Sequence, residues 1–322
     1  MTANTGVLLL NLGTPDAPEA LAVRRYLAEF LSDRNVVDLP PFLWQPILRG
    51  AILPFRPKRT AEAYRSIWTN EGSPLAAITR RQAGALQQRL GTDVIVDYAM
   101  RYGTPAIAPA LDRLAEAGCA RIVAAPLYPQ FSRATTGTAR DALAAAMDPA
   151  VPMRVMPPYF DDHLYIGALV ANLERQLGAL DFDPDRLLLS FHGLPQRAID
   201  RGDPYFDHCS ATARLVSERL PIQVDVAFQS RFGRAKWLEP ATDATLAAYP
   251  AEGVKRLAIA APGFSVDCIE TLEELGIRGR ETFMGAGGEH FARLDCLNDS
   301  PEGMDMLEGL VRRELAGGSA AE

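Results

Sequence analysis

The sequence has few cysteines, and they are dispersed along the chain. The four thiols, at Cys119, Cys209, Cys268 and Cys296, include no C-x-x-C pair. Structural zinc and iron–sulfur sites usually take their ligands from closely spaced cysteines, so this pattern argues against such a site. It is typical of reduced thiols in a cytoplasmic protein.

Long apolar runs and an excess of positive charge are also missing. No stretch approaches the roughly 18 uncharged apolar residues that a membrane-spanning helix needs. The first residues contain no basic segment followed by an apolar one, so we expect no secretory signal. The net charge is −7, from 33 Lys and Arg against 40 Asp and Glu. Because a nucleic-acid-binding face is basic, we expect no nucleic-acid partner.

Several signatures of other enzyme classes are absent from the sequence. It contains no G-x-x-x-x-G-K-[ST], no G-x-G-x-x-G after a strand, no G-x-S-x-G and no H-E-x-x-H. Nucleotide binding, serine hydrolysis and zincin chemistry therefore lose their usual support. The length of 322 residues, with 48% hydrophobic residues, is nevertheless enough for two domains with sizeable cores.

Apolar strands alternate with amphipathic helices along the chain. The runs GVLLLNLG from Gly6 and LLLSFHGLP from Leu187 are apolar stretches bounded by Gly or Pro. Such runs are typical of parallel strands that are buried on both faces. Strands and helices that alternate at this spacing predict βαβ units, and hence an α/β fold with a parallel sheet covered by helices.

Three short similarities recur in the same order in the two halves of the chain. The matching pairs are Val7–Pro15 with Leu187–Pro195, Met100–Gly103 with Ser230–Gly233, and Ala124–Pro126 with Ala260–Pro262. Their common order predicts two copies of one doubly wound domain. We place the domains at 1–158 and 159–302, and we expect residues 303–322 to form a helix and tail that pack back on the first domain.

Two polar features follow predicted strands of the second domain. His192 ends the run LLLSFH, and Asp267, Glu270 and Glu274 lie on the helix predicted after the strand at 254–260. Spacings of three and four residues place these carboxylates on one face of an α-helix. Ligands of α/β folds bind at the carboxyl ends of parallel strands, so we expect the imidazole and a carboxylate to face each other. The structural alternatives are a hydrogen-bonded core histidine and acids that complement a helix dipole.

An imidazole that faces a carboxylate supports two kinds of chemistry. The pair can hold a borderline divalent cation in an open, exchangeable site. It can equally act as general acid and base. From the residues alone, an enzyme, a metal carrier and a ligand-binding protein all fit.

The segment 39–55, LPPFLWQPILRGAILPF, combines apolar bulk with interior prolines. We expect the prolines to break any long helix here. The segment is predicted to be either buried structure of its own or an exposed apolar lip, which would suit a flat apolar ligand or a membrane surface. The following RPKR, at 56–59, is either a solvated charge cluster or a partner for the carboxylates of a ligand.

Seven ordered blocks of the sequence resemble the ferrochelatase family in its bacterial form. They are NLGTP from Asn11, AMRYGTP from Ala99, PLYPQFSRATTG from Pro126, SFHGLP from Ser190, FQSRFG from Phe228, KWLEPATD from Lys236 and FSVDCIETLEEL from Phe264. The resemblance implies a chelatase-like fold, in which two similar four-stranded parallel sheets are flanked by helices.

The resemblance also implies an activity. This is the insertion of Fe²⁺ into protoporphyrin IX to form protohaem, with release of two protons, as the last step of haem biosynthesis. The alternatives are a chelatase for another tetrapyrrole, such as coproporphyrin III or a cobalt substrate, and a non-catalytic tetrapyrrole or metal carrier.

Roles for individual residues follow from the same resemblance. His192 matches the essential histidine of the family and Glu270 the glutamate opposite it, so both are candidate catalytic and metal-binding groups. Whether the histidine binds iron or accepts the pyrrole protons is left open by the sequence. Asp267 and Glu274 are candidates for a relay of protons or metal, against helix capping and solvation. Candidate porphyrin contacts are Arg56, Arg101, Tyr102, Tyr128, Arg231, Trp237 and Phe264, against structural salt bridges and core packing.

Differences from animal members of the family bear on cofactors and location. Arg133 stands where those members have one cysteine ligand of a [2Fe–2S] cluster, and Cys268 stands where they have a histidine. We therefore expect no [2Fe–2S] cluster and no permanently bound cofactor, with Fe²⁺ and a porphyrin as substrates. The membrane-dipping lip of the family corresponds to Phe42–Phe55, which predicts a cytoplasmic protein with peripheral contact at the inner face of the membrane. The sequence identifies no haem acceptor.

Overall fold

A computed structural model of the protein describes residues 4–233 and 235–317. Within these residues, the chain divides into two compact units. The first unit comprises the chain up to Tyr128, Ser132–Pro157 and the residues from Met304 onward. The second comprises Pro129–Phe131 and Pro158–Gly303.

The first unit contains a four-stranded parallel sheet with the strand order β2-β1-β3-β4. Its strands are β1 (Asn4–Thr14), β2 (Val94–Gly103), β3 (Cys119–Pro126) and β4 (Met153–Val155). Its α-helices are α1 (Ala20–Phe30), α2 (Pro41–Ile47), α3 (Leu53–Ile67), α4 (Pro74–Leu90), α5 (Ile107–Glu116), α6 (Thr138–Ala146) and, from Met304, α12 (Pro301–Gly317). Two short π-helices are π1 (Leu48–Ile52) and π2 (Arg133–Gly137). The run Val7–Leu10 of β1 is fully buried, as expected for a central parallel strand.

The second unit contains a sheet of the same design, with the strand order β6-β5-β7-β8. Its strands are β5 (Arg186–His192), β6 (Val224–Gln229), β7 (Arg256–Ala260) and β8 (His290–Arg293). Its helices are α7 (His163–Leu177), α8 (Gln196–Asp200), α9 (Tyr205–Ser217), α10 (Thr242–Ala248), a 3₁₀ turn (Tyr249–Glu252), the π-helix π3 (Glu270–Gly279) and α11 (Arg280–Gly285). The central strand is β5, and its residues Leu187–Leu189 are fully buried.

The matching strand orders confirm the predicted α/β fold with two similar doubly wound domains. The sheet register, however, corrects two of the letter matches between the halves. Met100 lies opposite Asn11 and Phe228 lies opposite Phe191, so Met100 corresponds to Phe228 and not to Ser230. The Ala-Ala-Pro match is also displaced, by one residue: Ala124 lies opposite Leu8 and Ile259 lies opposite Leu188, so Ala124 corresponds to Ile259 and not to Ala260. Similar letters recur near strand ends because turns there use the same residue types, not because the positions are equivalent.

A glycine ends the apolar run of each central strand because the neighbouring strand approaches closely there. A Cβ atom at Gly13 would lie 1.8 Å from the carbonyl oxygen of Tyr102, and φ at Gly13 is +110°. A Cβ atom at Gly193 would lie 2.7 Å from the carbonyl oxygen of Gln229. Only a residue without a side chain fits between the strands at these two positions.

The proline-rich segment forms helices, so the prediction that its prolines break any long helix was wrong. The helices α2, π1 and α3 follow one another without interruption, with Pro46 inside α2 and Pro57 inside α3. Pro54 lies just after π1, in the first turn of α3. The π-helical turn between the two α-helices changes the hydrogen-bond ladder locally, which accommodates residues that cannot donate.

This helical segment has one buried and one exposed face. Trp44 is only 7% exposed and donates its Nε1 hydrogen to the carbonyl oxygen of Leu31 at 2.6 Å. Phe42 and Phe55, by contrast, are 76% and 75% exposed. The two predicted alternatives therefore hold for different side chains: Trp44 is part of a buried structure, whereas Phe42 and Phe55 form an exposed apolar lip. Within the described residues, no helix has the length and apolar character needed to cross a bilayer.

Candidate active site

His192 is the last residue of β5, at the carboxyl end of a parallel strand between β6 and β7. Its Nδ1 atom lies 2.7 Å from the carbonyl oxygen of Gly193. A carbonyl oxygen can only accept a hydrogen bond, so this contact favours the tautomer of the neutral imidazole that carries its proton on Nδ1. The lone pair is then on Nε2, which is available to a proton or a metal ion.

Glu270 begins π3, after the loop that leaves β7. Burial raises the pKa of the Glu270 carboxyl, and the charge of Glu274 acts in the same direction. The Cys268 thiol and the His192 imidazole oppose this rise. Gln229 pairs with His192 in the β5–β6 ladder, and its Nε2 donates to the carbonyl oxygen of Glu270 at 2.9 Å, so the start of π3 lies close to the end of β5. The structure thus brings together the imidazole and the carboxylate that follow β5 and β7. A carboxylate with a raised pKa accepts a proton more readily near neutral pH.

The helix that carries the glutamates differs from the predicted one. Asp267 lies before the helix, and Glu270–Gly279 is π-helical rather than α-helical. The prediction that Asp267 shares a helical face with Glu270 and Glu274 was therefore wrong. It assumed one continuous α-helix, whereas π-helices form i→i+5 hydrogen bonds, are rare, and frequently occur at functional sites.

Asp267 is held in a buried network of its own. Its carboxylate accepts hydrogen bonds from Arg293 Nη1 at 2.9 Å, Asn298 Nδ2 at 2.7 Å and Thr271 Oγ1 at 2.8 Å. These donors join the loop before π3 to the segments at Arg293 and Asn298. The contacts favour a structural role for Asp267 over the predicted relay role.

Glu274 is anchored to the carboxyl end of β6. Its Oε1 accepts a hydrogen bond from the backbone N–H of Ser230 at 2.8 Å, and its Oε2 accepts one from Ser230 Oγ at 2.5 Å. Arg278 Nη2 lies 3.9 Å from Glu274 Oε2. Glu274 follows Glu270 by four residues in π3, and both of its carboxylate oxygens already accept hydrogen bonds from Ser230.

Two of the predicted aromatic contacts lie beside His192. The ring centre of Phe264 is 6.5 Å from that of the imidazole. Trp237 pairs with Pro195 in an isolated β-bridge and borders Gly193, the residue after the histidine. Arg231 is exposed, and its Nη2 donates to both carboxylate oxygens of Asp243 at 2.8 Å.

The remaining predicted porphyrin contacts belong to the first unit. Arg101 Nη2 donates to the Asp33 carboxylate at 2.6 Å, and the Tyr102 hydroxyl donates to it at 2.9 Å. Tyr102 is only 1% exposed, so these contacts support the structural alternatives for both residues. Tyr128 is also buried, whereas Arg56 is an exposed residue of α3.

Sequence reasoning missed a chain of buried polar side chains behind the site. Ser190 Oγ donates to Gln229 Oε1 at 2.8 Å and lies 2.8 Å from Thr242 Oγ1. Gln229 Nε2 donates to the carbonyl oxygen of Glu270 at 2.9 Å. A signal was present in the sequence, because Ser190 is the one hydroxyl in the run LLLSFH and a buried hydroxyl needs a partner.

The donors that could bind a metal ion at this site are His192 Nε2 and the Glu270 carboxylate. No group of three or more His, Cys, Asp or Glu side chains converges on a metal position within residues 4–233 and 235–317. An imidazole and a carboxylate together suit a borderline divalent cation.

The fold has counterparts among solved structures. SirB from Bacillus subtilis with Fe³⁺ has a TM-score of 0.55 at 11% sequence identity, over 98% of this chain and 97% of that chain. CbiX, described as the terminal enzyme for siroheme biosynthesis in denitrifying bacteria, has a TM-score of 0.52 at 15% identity, over 96% of this chain and 98% of that chain. These likenesses concern the fold alone, and they place the chain in the same α/β fold class as these two proteins.

Sequence comparisons narrow this class to one family. The ferrochelatase family model matches residues 4–315. A ferrochelatase from Methylocella silvestris is 49% identical, over 97% of this chain and 94% of the relative. A ferrochelatase from Azoarcus sp. is 50% identical, over 97% of this chain and 88% of the relative. The chain belongs to the ferrochelatase family, which confirms the resemblance noted in the sequence.

Proposed function

We propose that this protein inserts Fe²⁺ into protoporphyrin IX to form protohaem and two protons, as the last step of haem biosynthesis. The observation that carries the proposal is the approach of π3, which begins at Glu270, to the end of β5 at His192: Gln229 pairs with His192 and donates to the carbonyl oxygen of Glu270 at 2.9 Å. Membership of the ferrochelatase family supports the same reaction.

The reaction requires the loss of two pyrrole N–H protons and the capture of a hydrated cation. The free Nε2 lone pair of His192 is placed to accept a pyrrole proton, since Nδ1 is already bonded to the carbonyl oxygen of Gly193. The Glu270 carboxylate is suited to hold Fe²⁺ loosely before transfer. Phe264, beside the imidazole, offers an apolar face to the macrocycle.

An anaerobic assay with purified protein, Fe²⁺ and protoporphyrin IX tests this function. We expect multiple turnovers to protohaem. Parallel reactions with coproporphyrin III, and with Co²⁺ in place of Fe²⁺, test the other chelatase activities. Tight stoichiometric binding of porphyrin or metal without turnover would contradict the proposal and indicate a carrier.

We also propose that the apolar lip, residues 42–55, binds the surface of a membrane. Its exposed large apolar side chains are Phe42, Leu43, Ile47 and Phe55. Exposed basic residues lie within the segment and just after it, at Arg49, Lys58 and Arg59. Apolar side chains flanked by positive charge favour the surface of an anionic bilayer.

Sedimentation with anionic phospholipid vesicles tests this proposal. We expect Phe42→Ser to reduce the bound fraction, because it removes apolar area that would enter the bilayer. Phe206→Ser provides a matched control, since Phe206 is a partly exposed aromatic residue outside the lip. Equal binding of the Phe42→Ser variant and the unchanged protein would rule out this lip as the membrane contact.

A further inference from the structure

Gln229 is hydrogen-bonded to both parts of the candidate site, namely the backbone next to His192 and the backbone of Glu270. It lies opposite His192 in the β5–β6 ladder, and its carbonyl oxygen accepts from Gly193 N–H at 2.8 Å. Its side-chain Nε2 donates to the carbonyl oxygen of Glu270 at 2.9 Å. One residue therefore spans the distance between the strand end that carries the imidazole and the helix start that carries the carboxylate.

The side-chain amide of Gln229 is held in one orientation. Its Oε1 accepts from Ser190 Oγ, so the single hydroxyl proton of Ser190 is used, and Thr242 must donate to Ser190. Ser190, Gln229 and Thr242 are 0%, 2% and 2% exposed. This directed chain leaves Nε2 of Gln229 facing Glu270, and buried polar networks that are fully paired are rigid.

The next residue along the chain makes a second attachment to π3. Ser230 has a φ of 65°, which is uncommon for a residue other than glycine. In this conformation its N–H and its hydroxyl both donate to the Glu274 carboxylate, at 2.8 and 2.5 Å. Backbone conformations of this kind persist where the surrounding contacts determine them, often at functional sites.

We infer that Gln229 and Ser230 form a clasp that sets the position of Glu270 relative to His192, so that both are positioning residues for metal insertion. This inference rests on the proposed function. The clasp holds the first turn of π3 through the Glu270 carbonyl group and the second through the Glu274 carboxylate. Partners of this kind, behind the reacting groups, typically change activity by about 10- to 100-fold when they are removed.

Hydrogen–deuterium exchange tests the clasp without reference to catalysis. We expect Gln229→Met to raise the exchange rates of the amides of Glu270–Gly279, because the Glu270 carbonyl group loses its side-chain donor. Asn172→Leu is the matched control: Asn172 is also buried, and its Nδ2 donates to a backbone carbonyl oxygen, that of Asp295, at 3.0 Å. Protection of π3 that is equal in the two variants would overturn the clasp.

Kinetics of the same variants test the positioning role. We expect Gln229→Met to lower kcat about tenfold with little change in the KM for protoporphyrin, and Asn172→Leu to leave both unchanged. Ser190→Ala combined with Gln229→Met should cost little more than Gln229→Met alone, because the two residues act in series. A loss of kcat that is equal in Gln229→Met and Asn172→Leu, in proportion to lost stability, would overturn the positioning role.

Ser230→Gly provides a variant that the backbone accommodates. Glycine tolerates a positive φ, and it retains the N–H bond to Glu274 while removing the hydroxyl donor. We expect a folded protein with faster exchange in the second turn of π3 and a lower kcat. Wild-type kcat and wild-type exchange in this variant would remove Ser230 from the clasp. Wild-type protein that inserts no metal would refute the proposed function, while the exchange data would still report on the clasp.

Discussion

At the scale of single residues, the chemistry depends on which imidazole nitrogen of His192 is free. The carbonyl oxygen of Gly193, 2.7 Å from Nδ1, favours the tautomer with a donor at Nδ1. An imidazole held in this way has one free lone pair, on Nε2, and its ring orientation is fixed by its own backbone. Burial raises the pKa of the neighbouring Glu270, because it makes the ionised form of the carboxyl group costly.

We predict that His192→Ala abolishes iron insertion and leaves porphyrin binding intact. The reason is that the variant removes the Nε2 acceptor, while Phe264 and Trp237 remain. Porphyrin binding is measured by fluorescence quenching and insertion by the anaerobic assay, with circular dichroism as the check on folding. Recovery of activity at high Fe²⁺ would show that His192 serves as a metal ligand rather than as the proton acceptor. Loss of folding in this variant would show that His192 is a structural residue of the core instead.

The pKa of Glu270 makes a prediction about stability. Its pKa in the folded protein is raised above the ordinary value of 4.5, so the folded state retains this proton at pH values where the unfolded state has lost it. The contribution to stability is full below pH 4.5 and is lost as pH rises through the folded pKa. We therefore expect Glu270→Gln to raise the free energy of unfolding relative to wild type at pH 8, and the gain to shrink towards pH 4.

Denaturant unfolding at a series of pH values measures this effect. Asp185→Asn is the control of opposite sign, because the hydrogen bond from Arg256 holds the pKa of Asp185 below its usual value. That variant should lose stability near neutral pH and lose less as the pH falls below 4. A Glu270→Gln variant that is destabilised more at pH 8 than at pH 4 would contradict the assigned direction of the shift.

At the scale of elements, the end of β5 is the part on which the site depends most. Gly193 follows His192 directly, and the carbonyl oxygen of Gln229 leaves no room for a side chain there. Three elements meet at this point. The N–H of Gly193, after β5, donates to the carbonyl oxygen of Gln229 in β6, and the side chain of Gln229 donates to the carbonyl oxygen of Glu270 in π3.

We predict that Gly193→Ala destabilises the protein by about 1–3 kcal/mol, as overpacking of a close backbone contact typically does. It should also lower the rate of insertion, because the end of β5 must move away from β6. Gly167→Ala is the matched control, since a Cβ atom there meets nothing within 4 Å and the residue lies inside α7. That variant should gain up to about 1 kcal/mol. Thermal unfolding and the insertion assay measure both, and similar behaviour of the two variants would show that the Gly193 contact is unimportant.

At the scale of the whole chain, the two sheets share a strand order but not their chemistry. With Val7 aligned on Leu187, Leu12 of the first unit occupies the position of His192 in the second. The imidazole and both glutamates of the candidate site therefore belong to one copy of the repeated design. The other copy contributes the apolar lip, whose exposed aromatic residues are Phe42 and Phe55.

The cysteine content leads to a prediction for the protein as isolated. Cys119, Cys209, Cys268 and Cys296 are all free and buried. Burial raises the pKa of the Cys268 thiol, which makes the thiolate that iron requires costly to form. We predict that the purified protein has no visible absorption from an iron–sulfur cluster and no acid-labile sulfide. A cluster spectrum that persists after anaerobic purification would contradict this, and cysteine-to-serine variants would then identify its ligands.

Much of the fold and one part of the site could be predicted from the sequence. The apolar runs at Val7 and Leu187, and the alternation of strands with helices, determine the α/β class and the central strands, because burial on both faces leaves a local pattern. The position of His192 at a strand end follows from the same local pattern. The family was recognisable because seven blocks occur in order along one chain.

Only the tertiary structure decided which polar groups are partners. Arg101 and Tyr102 meet Asp33, Asp267 meets Arg293, and Gln229 meets Glu270, and in each case the partners are far apart along the chain. The π-helical form of Glu270–Gly279 likewise departs from the α-helical spacing that its residues suggest. Apolar burial acts on every residue of a strand or helix and so is visible as a period in the sequence. A hydrogen bond between two distant side chains depends on where the folded backbone brings them, and a local pattern contains no record of that distance.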